Sequence, residues 1–258
     1  MKNININDLT VYKSPYEKKR YGKDDDGGYV AVKLPCEYDV LLSGGIKDDV
    51  SFECDLLDGL NIPRAYLHDQ TIARPGSQWP LEESLKNNPQ FRDKRINIIT
   101  KNIGVKNTRL ITDLNSTMND FNNIFVKMDI EGFEFGWLQT LTQENINKID
   151  QMVIEFHFMP EIKEESWSIL EKINKTHVLV HLHANNSHGM RSYERVGDTL
   201  QFIPKVPECT YIHKRYIDDL QNLQMNNVPL PCDIDKPNFP EKRERLLTYE
   251  PFCSCKSD

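Results

Sequence analysis

The chain has 258 residues, of which 38% are hydrophobic and 28% charged, and a net charge of -7. That length suits one sizeable core, and the acidic balance argues against a general nucleic-acid binder, although KKR at 18–20 is a local basic patch. The longest apolar runs are about four to six residues, too short for a bilayer span, and the opening MKNININDLT lacks the apolar core of a secretory signal.

Residues 1–35 are polar, carry Pro15 and a DDDGGY run, and read as an N-terminal lid segment whose Asp26 and Tyr29 reach a bound cofactor; DGG is also an ordinary turn sequence. The run YDVLLSGG then stops at a glycine pair, and a helix is expected over 51–58. Further strand-like runs are RAYLHD at 64–69, RINIIT at 95–100, FVKMD at 125–129, QMVIEFH at 151–157, HVLVHLH at 177–183 and CTYIHK at 209–214. Between the fifth and sixth runs, Ile162, Trp167, Ile169, Leu170 and Ile173 have the spacing of an amphipathic helix packed on a sheet. The first five runs are almost continuously apolar, as central parallel strands are. The last two, set apart by the polar segment 184–206, complete the sheet as a β-ribbon or an edge hairpin. The order predicts a single α/β domain over 36–245, a mostly parallel seven-stranded sheet with helices on both faces. From Pro231 a proline-broken stretch leads to a short charged helix, and 246–258 reads as a flexible tail. The six cysteines are scattered without zinc-knuckle spacing, so reduced thiols in an intracellular, cytoplasmic protein are expected.

In open α/β sheets ligands gather at the carboxyl ends of the strands. Ser43, Gly44 and Gly45 lie at such an end, where glycine lets a ligand approach the backbone. SGGIKDD lacks the GxGxxG spacing of a dinucleotide site. Asp69 ends the second run about 25 residues later, where a carboxylate can accept both hydroxyls of a ribose. Asp48, Asp49 and Glu53 crowd the same region, which disfavours a phosphate and tolerates a cation. Adenosine bearing a methionine sulfonium fits that charge better than a nicotinamide dinucleotide. Glu53 has an equal reading as the acidic residue of a helix start.

Asp129 and Glu131 end the fourth run, and Glu155 and His157 end the fifth. Neighbouring parallel strands would bring both pairs to one rim, a costly arrangement unless the groups are hydrated, paired or used. A histidine among carboxylates can serve as a general base, which makes His157 the candidate. The same oxygen and nitrogen ligands could hold Mg or Mn, and this alternative stays open. His181, His183 and His188 form a second cluster near Asn185 and Asn186; a zinc site would need a third close ligand, and His183 is expected on the substrate side.

Taken together, RYGKDDDGGYV, VLLSGGIKDDVSFECDL, AYLHDQTI, VKMDIEGFEF, MVIEFHFMP, VLVHLHANN and LPCDIDKPNFP, in this order from about residue 20 to 241, resemble the FkbM-type S-adenosylmethionine-dependent methyltransferases. The nearest branch carries an N-terminal DGGY and includes sugar O-methyltransferase domains of large DNA viruses. SGG departs from the more usual G-x-G of the first strand. The resemblance implies a Rossmann-like class I methyltransferase domain that binds S-adenosylmethionine, releases S-adenosylhomocysteine and methylates an oxygen, chiefly of sugars or polyketide-like small molecules. It places Gly44 and Gly45 in the cofactor loop, Asp69 at the ribose, Asp129 beside the methionine, and Glu155 and His157 at the reaction centre. Ser43, Glu53, Asp26 and Tyr29 are expected to join the cofactor, and Glu131, His183 and Asn185 the acceptor. The expected partner is a small-molecule or glycan acceptor, a sugar, with no nucleic acid, no membrane span and no metal, for a monomer or homodimer. The alternatives are a degenerate methyltransferase-fold binding module and a methyltransferase acting on another small molecule or on nucleic acid.

Overall fold

A computed structural model describes residues 6–73, 80, 83, 87–157, 164–196 and 199–255. Its strands are β1 (Lys18–Tyr21), β2 (Tyr29–Val32), β3 (Val40–Gly44), β4 (Ala65–His68), β5 (Ile96–Ile99), β6 (Asn102–Ile103), β7 (Ile111–Thr112), β8 (Ile124–Met128), β9 (Ile149–Glu155), β10 (His177–Ala184), β11 (Met190–Val196), β12 (Thr199–Pro204) and β13 (Pro207–His213). The helices are α1 (Ser51–Gly59), α2 (Asn115–Met118), α3 (Glu134–Thr140), α4 (Gln143–Asn147) and α5 (Glu164–Asn174).

All seven expected strand runs enter one sheet, in the order β10-β13-β9-β8-β3-β4-β5. The pairs from β9 to β5 are parallel, and β13 runs antiparallel to both β9 and β10. β3, β8 and β9 are buried along their whole length, which explains their unbroken apolar runs. On one face Trp137, Leu138 and Ile146 of α3 and α4, with Trp167 and Leu170 of α5, pack over Leu42, Val126 and Met152. On the other, Phe52, Leu56 and Leu57 of α1 pack over Leu41, Leu67, Phe125 and Val153. Ile169 and Ile173 of α5 are buried as its spacing predicts, while Ile162 lies outside the described residues. The segment after β10 forms a separate hairpin, β11–β12, and β13 then inserts between β9 and β10 to close the sheet.

Two expectations about the ends need correction. The N-terminal segment contains a hairpin, β1–β2, and β2 is wholly buried. Its backbone is satisfied by sheet side chains: Gln151 accepts from Val32 N at 2.6 Å and donates to Val32 O at 2.9 Å, and the Thr210 hydroxyl donates to Val30 O at 2.6 Å. The loop 22–28 is tied to its surroundings by Gly22 N donating to Asp55, Asp26 N donating to Asn238 O and the Lys23–Asp49 ion pair. At the other end, no short charged helix forms among the described residues after Pro231. Instead Leu247 pairs with Leu230, and Leu247, Phe252 and Cys253 are buried, so the stretch read as a flexible tail is packed. Cys253 and Cys255 are joined in a disulfide, against the expectation of thiols throughout; Cys36, Cys54, Cys209 and Cys232 are free. No helix of the described residues is long and apolar enough to cross a membrane.

Candidate functional site

β3 leads outward to β4 and β5, while β8 and β9 lie on its other side, so the chain reverses direction across the sheet between β3 and β8. At the carboxyl ends of these strands, where such folds bind ligands, a cavity of about 610 Å³ is lined by residues including Gly45, His68, Asp69, Ile103, Asp129 and Phe133. Gly45 has φ +77°, and a Cβ placed there would lie 1.7 Å from the Asp129 carbonyl oxygen. Glycine is required here because the turns after β3 and β8 meet backbone to backbone. Gly45→Ala combines a left-handed strain of about 1–2 kcal/mol with an overlap costing about 1–3 kcal/mol. A melting midpoint lowered by several degrees is therefore expected, and an unchanged melt would contradict the close approach.

The same turn explains an otherwise costly lysine. Lys127 sits mid-strand in β8, and its Nζ donates to Gly45 O at 2.7 Å. Ser43 donates to Glu53 Oε1 at 2.6 Å, and both side chains are buried. Burial pushes the Glu53 carboxyl up, against the opposing effects of Lys127 and Ser43. Ser43, Gly44 and Glu53 are not among the residues that line this cavity. Asp69 does line the cavity, yet its carboxylate is heavily engaged. Oδ2 accepts from Ile46 N at 3.2 Å and Lys47 N at 2.9 Å, and Oδ1 accepts from the Thr71 amide at 2.7 Å and hydroxyl at 2.5 Å.

Beyond Asp129 the rim turns polar. The Tyr29 hydroxyl, from β2, lies 3.3 Å from Asp129 Oδ2 and 3.1 Å from Glu155 Oε2. A phenol has one proton to give, so when it donates to Asp129 the Glu155 carboxyl must supply the other hydrogen bond. The charge balance agrees. Burial, then Asp129 and Glu208, push the Glu155 carboxyl well above its usual range. Asp129 is also raised by burial, although Lys127, Lys47 and His157 oppose this. Asn185 donates to Glu155 Oε1 at 3.0 Å, its own amide oriented by the Ser187 N–H and hydroxyl.

His157 follows β9 and points Nε2 toward Glu131 Oε2 at 3.6 Å and Asp129 Oδ1 at 4.0 Å. Its Nδ1 lies 3.1 Å from Glu134 Oε1, which also accepts from the amides of Ile130 and Gly132. Glu134 Oε1, which accepts the two amides, holds the ring through Nδ1, and Nε2 faces the Glu131 and Asp129 carboxylates across the rim. Burial acts to lower the His157 pKa, but the Glu134 hydrogen bond and charge, with Asp129 and Glu131, raise it overall. Glu131 does not share a strand face with Asp129. β8 ends at Met128, Glu131 takes φ +55°, and its carboxylate pairs with Lys47 at 3.1 Å across the cavity mouth.

His183 is buried between two glutamates. Nδ1 meets Glu208 at 3.0 Å and Nε2 meets Glu244 at 3.3 Å, so both nitrogens are committed within the fold. Asp26 stands at the outer edge, held by Asn238, which also donates to Glu208 at 2.6 Å. Sequence reasoning missed Glu134 and Lys127. A lysine inside a buried strand was itself a signal, whereas a glutamate opening a helix looks like ordinary end charge. Among the described residues, two groups have side-chain atoms within 4.8 Å of one another and could hold a cation, namely Asp129, Glu155 and His157, and His181, Cys232 and Asp235. In the second, His181 Nε2 bonds Asp235 at 2.8 Å and the Lys18 ammonium lies 3.4 Å from Nδ1, which opposes a metal there.

No protein-family model matches the chain, and no curated protein sequence matches it. Among solved structures it is similar to methyltransferase FkbM from Methylobacillus flagellatus KT, with 14% identity and a TM-score of 0.43 over 68% of this chain and 43% of that one. It is similar to TrmK of M. capricolum in complex with S-adenosyl-homocysteine, with 16% identity and a TM-score of 0.37 over 72% and 66% of the two chains. A spermidine synthase bound to the transition state analogue AdoDATO gives 14% identity and a TM-score of 0.39 over 78% and 72%. The chain thus spans less than half the length of the FkbM structure, and likeness at these levels carries no residue role. By its own strand order and single antiparallel insertion, the domain has a Rossmann-like class I methyltransferase fold.

Proposed function

We propose that the chain is an FkbM-type, S-adenosylmethionine-dependent O-methyltransferase acting on a hydroxyl of a sugar or glycan. The observation that carries this reading is the continuity of the cavity at β3 and β8 with the rim of Asp129, Tyr29, Glu155 and His157. The residues fit the cofactor. The cavity size lies in the range of small-molecule pockets, about 300–1,000 Å³. Ile103, Val105 and Ile111 offer an apolar wall for an adenine, and Asp129 and Glu131 place negative charge where a sulfonium and an ammonium would be held. When bound, the cofactor supplies an activated methyl group. The chain then has to align the acceptor and remove its hydroxyl proton.

His157 Nε2 takes that proton, with Glu134 fixing the ring and its tautomer through Nδ1. Asp129, whose charge Lys127 and Lys47 favour against burial, in turn favours the imidazolium that results. A rim rich in hydrogen-bond acceptors suits a polyhydroxylated acceptor, whose hydroxyls are donors. Because the His157 pKa is raised above 6.5, the unprotonated base becomes more populated as pH rises through that raised value, and the rate is expected to climb on the alkaline side of 6.5. The test is a screen of monosaccharides and nucleotide-linked sugars with the cofactor, with and without EDTA, reading mass gain of one methyl. Methylation unaffected by EDTA is expected. Loss on chelation would turn the Asp129, Glu155 and His157 trio into a metal site, and the absence of any methylated sugar would remove the acceptor class.

A further inference from the structure

Between β6 and β7 the chain makes a loop in which every residue from Val105 to Leu110 is exposed. Its ends are fastened, since Asn102 N donates to Leu110 O and Gly104 N to Thr112 O, each at 2.9 Å. Its polar side chains serve its own backbone. The Thr108 hydroxyl accepts from the amides of Leu110 and Ile111, and Asn107 Oδ1 accepts from Asp113 N. What is left for the outside is Val105, Lys106, Arg109 and Leu110, two aliphatic residues bracketing two cations. Val105 lies against the first turn of α3, where a Cβ added to Gly136 would come 2.9 Å from its side chain. That contact sets the loop beside Phe133, the residue before α3, and both Val105 and Phe133 line the cavity.

Val105, Leu110 and Phe133 are 56%, 45% and 61% exposed, so a large share of the exposed bulky apolar side chains among the described residues gathers at one lip. A concentration of this kind marks a surface that meets a partner. Its charge narrows the choice. No acidic residue occurs between Asp93 and Asp113, and Lys106 and Arg109 have no ion pair among the described residues. Glu131, at the same mouth, is already paired with Lys47. A second copy of the chain meeting this face about a two-fold axis would bring cation against cation. A nucleic acid would use the cations, but its bases stack on aromatic rings and have no need of Val105 and Leu110. An anionic bilayer answers both features, its headgroups meeting the cations while the aliphatic side chains enter the acyl boundary. The chain as a whole, with a net charge of -7, is repelled by such a surface, which leaves this loop as the leading edge.

We propose that the loop 105–110, with Phe133, is a peripheral docking site for an anionic lipid bilayer and sets the cavity mouth at the headgroup layer. The docking does not depend on what the cavity binds.

The test is co-sedimentation of the full chain with vesicles of phosphatidylcholine alone and of an equal mixture with phosphatidylserine. Binding to the mixed vesicles and not to the neutral ones is expected, weakening as salt is raised. Arg109→Glu combined with Leu110→Asp, two positions outside the cavity lining, should weaken it about tenfold or more. Equal binding to neutral and mixed vesicles, or undiminished binding by the double variant, would overturn the proposal. So would a wild type that sediments with neither, and a gel shift of single-stranded RNA lost in the same variant would then give the face to nucleic acid. Should the double variant fail to fold, Leu110→Trp decides. Its indole emission should move to the blue with the mixed vesicles and not with the neutral ones, and no movement beyond that of the wild type would overturn the docking.

Discussion

Replacing His157 with alanine is expected to lower turnover by about 10²–10⁴-fold, the usual worth of a positioned proton acceptor, while cofactor affinity stays nearly unchanged. The ring is not part of the cavity lining but stands at the rim beyond Asp129, so its loss removes a base and leaves the cofactor walls in place. His157→Gln should do little better, because an amide keeps a hydrogen bond and cannot take the proton. Glu134→Gln gives an independent readout. It removes the charge that most favours the imidazolium, so the alkaline rise in rate should move to lower pH. Near wild-type turnover of His157→Ala with a verified acceptor would pass the role to Asp129.

The second large effect is on stability. His183→Ala should cost about 3–5 kcal/mol, as breaking a buried ion pair does, because Glu208 and Glu244 then lose the cation between them. Burial acts to depress the His183 pKa, but Glu208 and Glu244 outweigh it and hold it at about 10, against 6.5 for an unperturbed ring. A folded-state pKa raised in this way stabilises the protein fully below 6.5 and loses its contribution as pH rises toward 10. Urea denaturation at pH 6.5, 8 and 10 should therefore show the gap between wild type and His183→Ala shrinking with pH. A gap independent of pH would mean that packing, not charge, holds this triad.

The strands were legible because burial on both faces imposes unbroken apolar runs, and YDVLLSGG, FVKMD and QMVIEFH became β3, β8 and β9. The closure was not. β13 lies between β9 and β10 although it follows both in sequence, and periodicity carries no information on strand order. In the site, Asp129, Glu155 and His157 come together because they end adjacent parallel strands, a relation that strand order and alternation can express. The partners of His183 were not legible for the opposite reason: Glu244, which takes up its Nε2, lies 61 residues away in an irregular segment. Glu131 reaches the same rim through a turn rather than a strand, its positive φ turning the chain just after β8, and no local preference of glutamate announces that. The packing of the tail was not legible because no repeating apolar pattern marks it: Leu247 pairs with Leu230, and the Phe252 carbonyl accepts from Asn226.

Everything proposed for the site depends on the cavity at β3 and β8 receiving an adenosyl sulfonium or its product. The most direct measurement is calorimetric titration of the wild-type chain with S-adenosylmethionine and S-adenosylhomocysteine, paired with thermal melts at the same ligand concentrations. Micromolar binding of both is expected, with a melting midpoint that rises with ligand concentration as binding to the folded state requires. No heat and no shift in melting at millimolar ligand would contradict the cofactor assignment, and with it the methyl transfer.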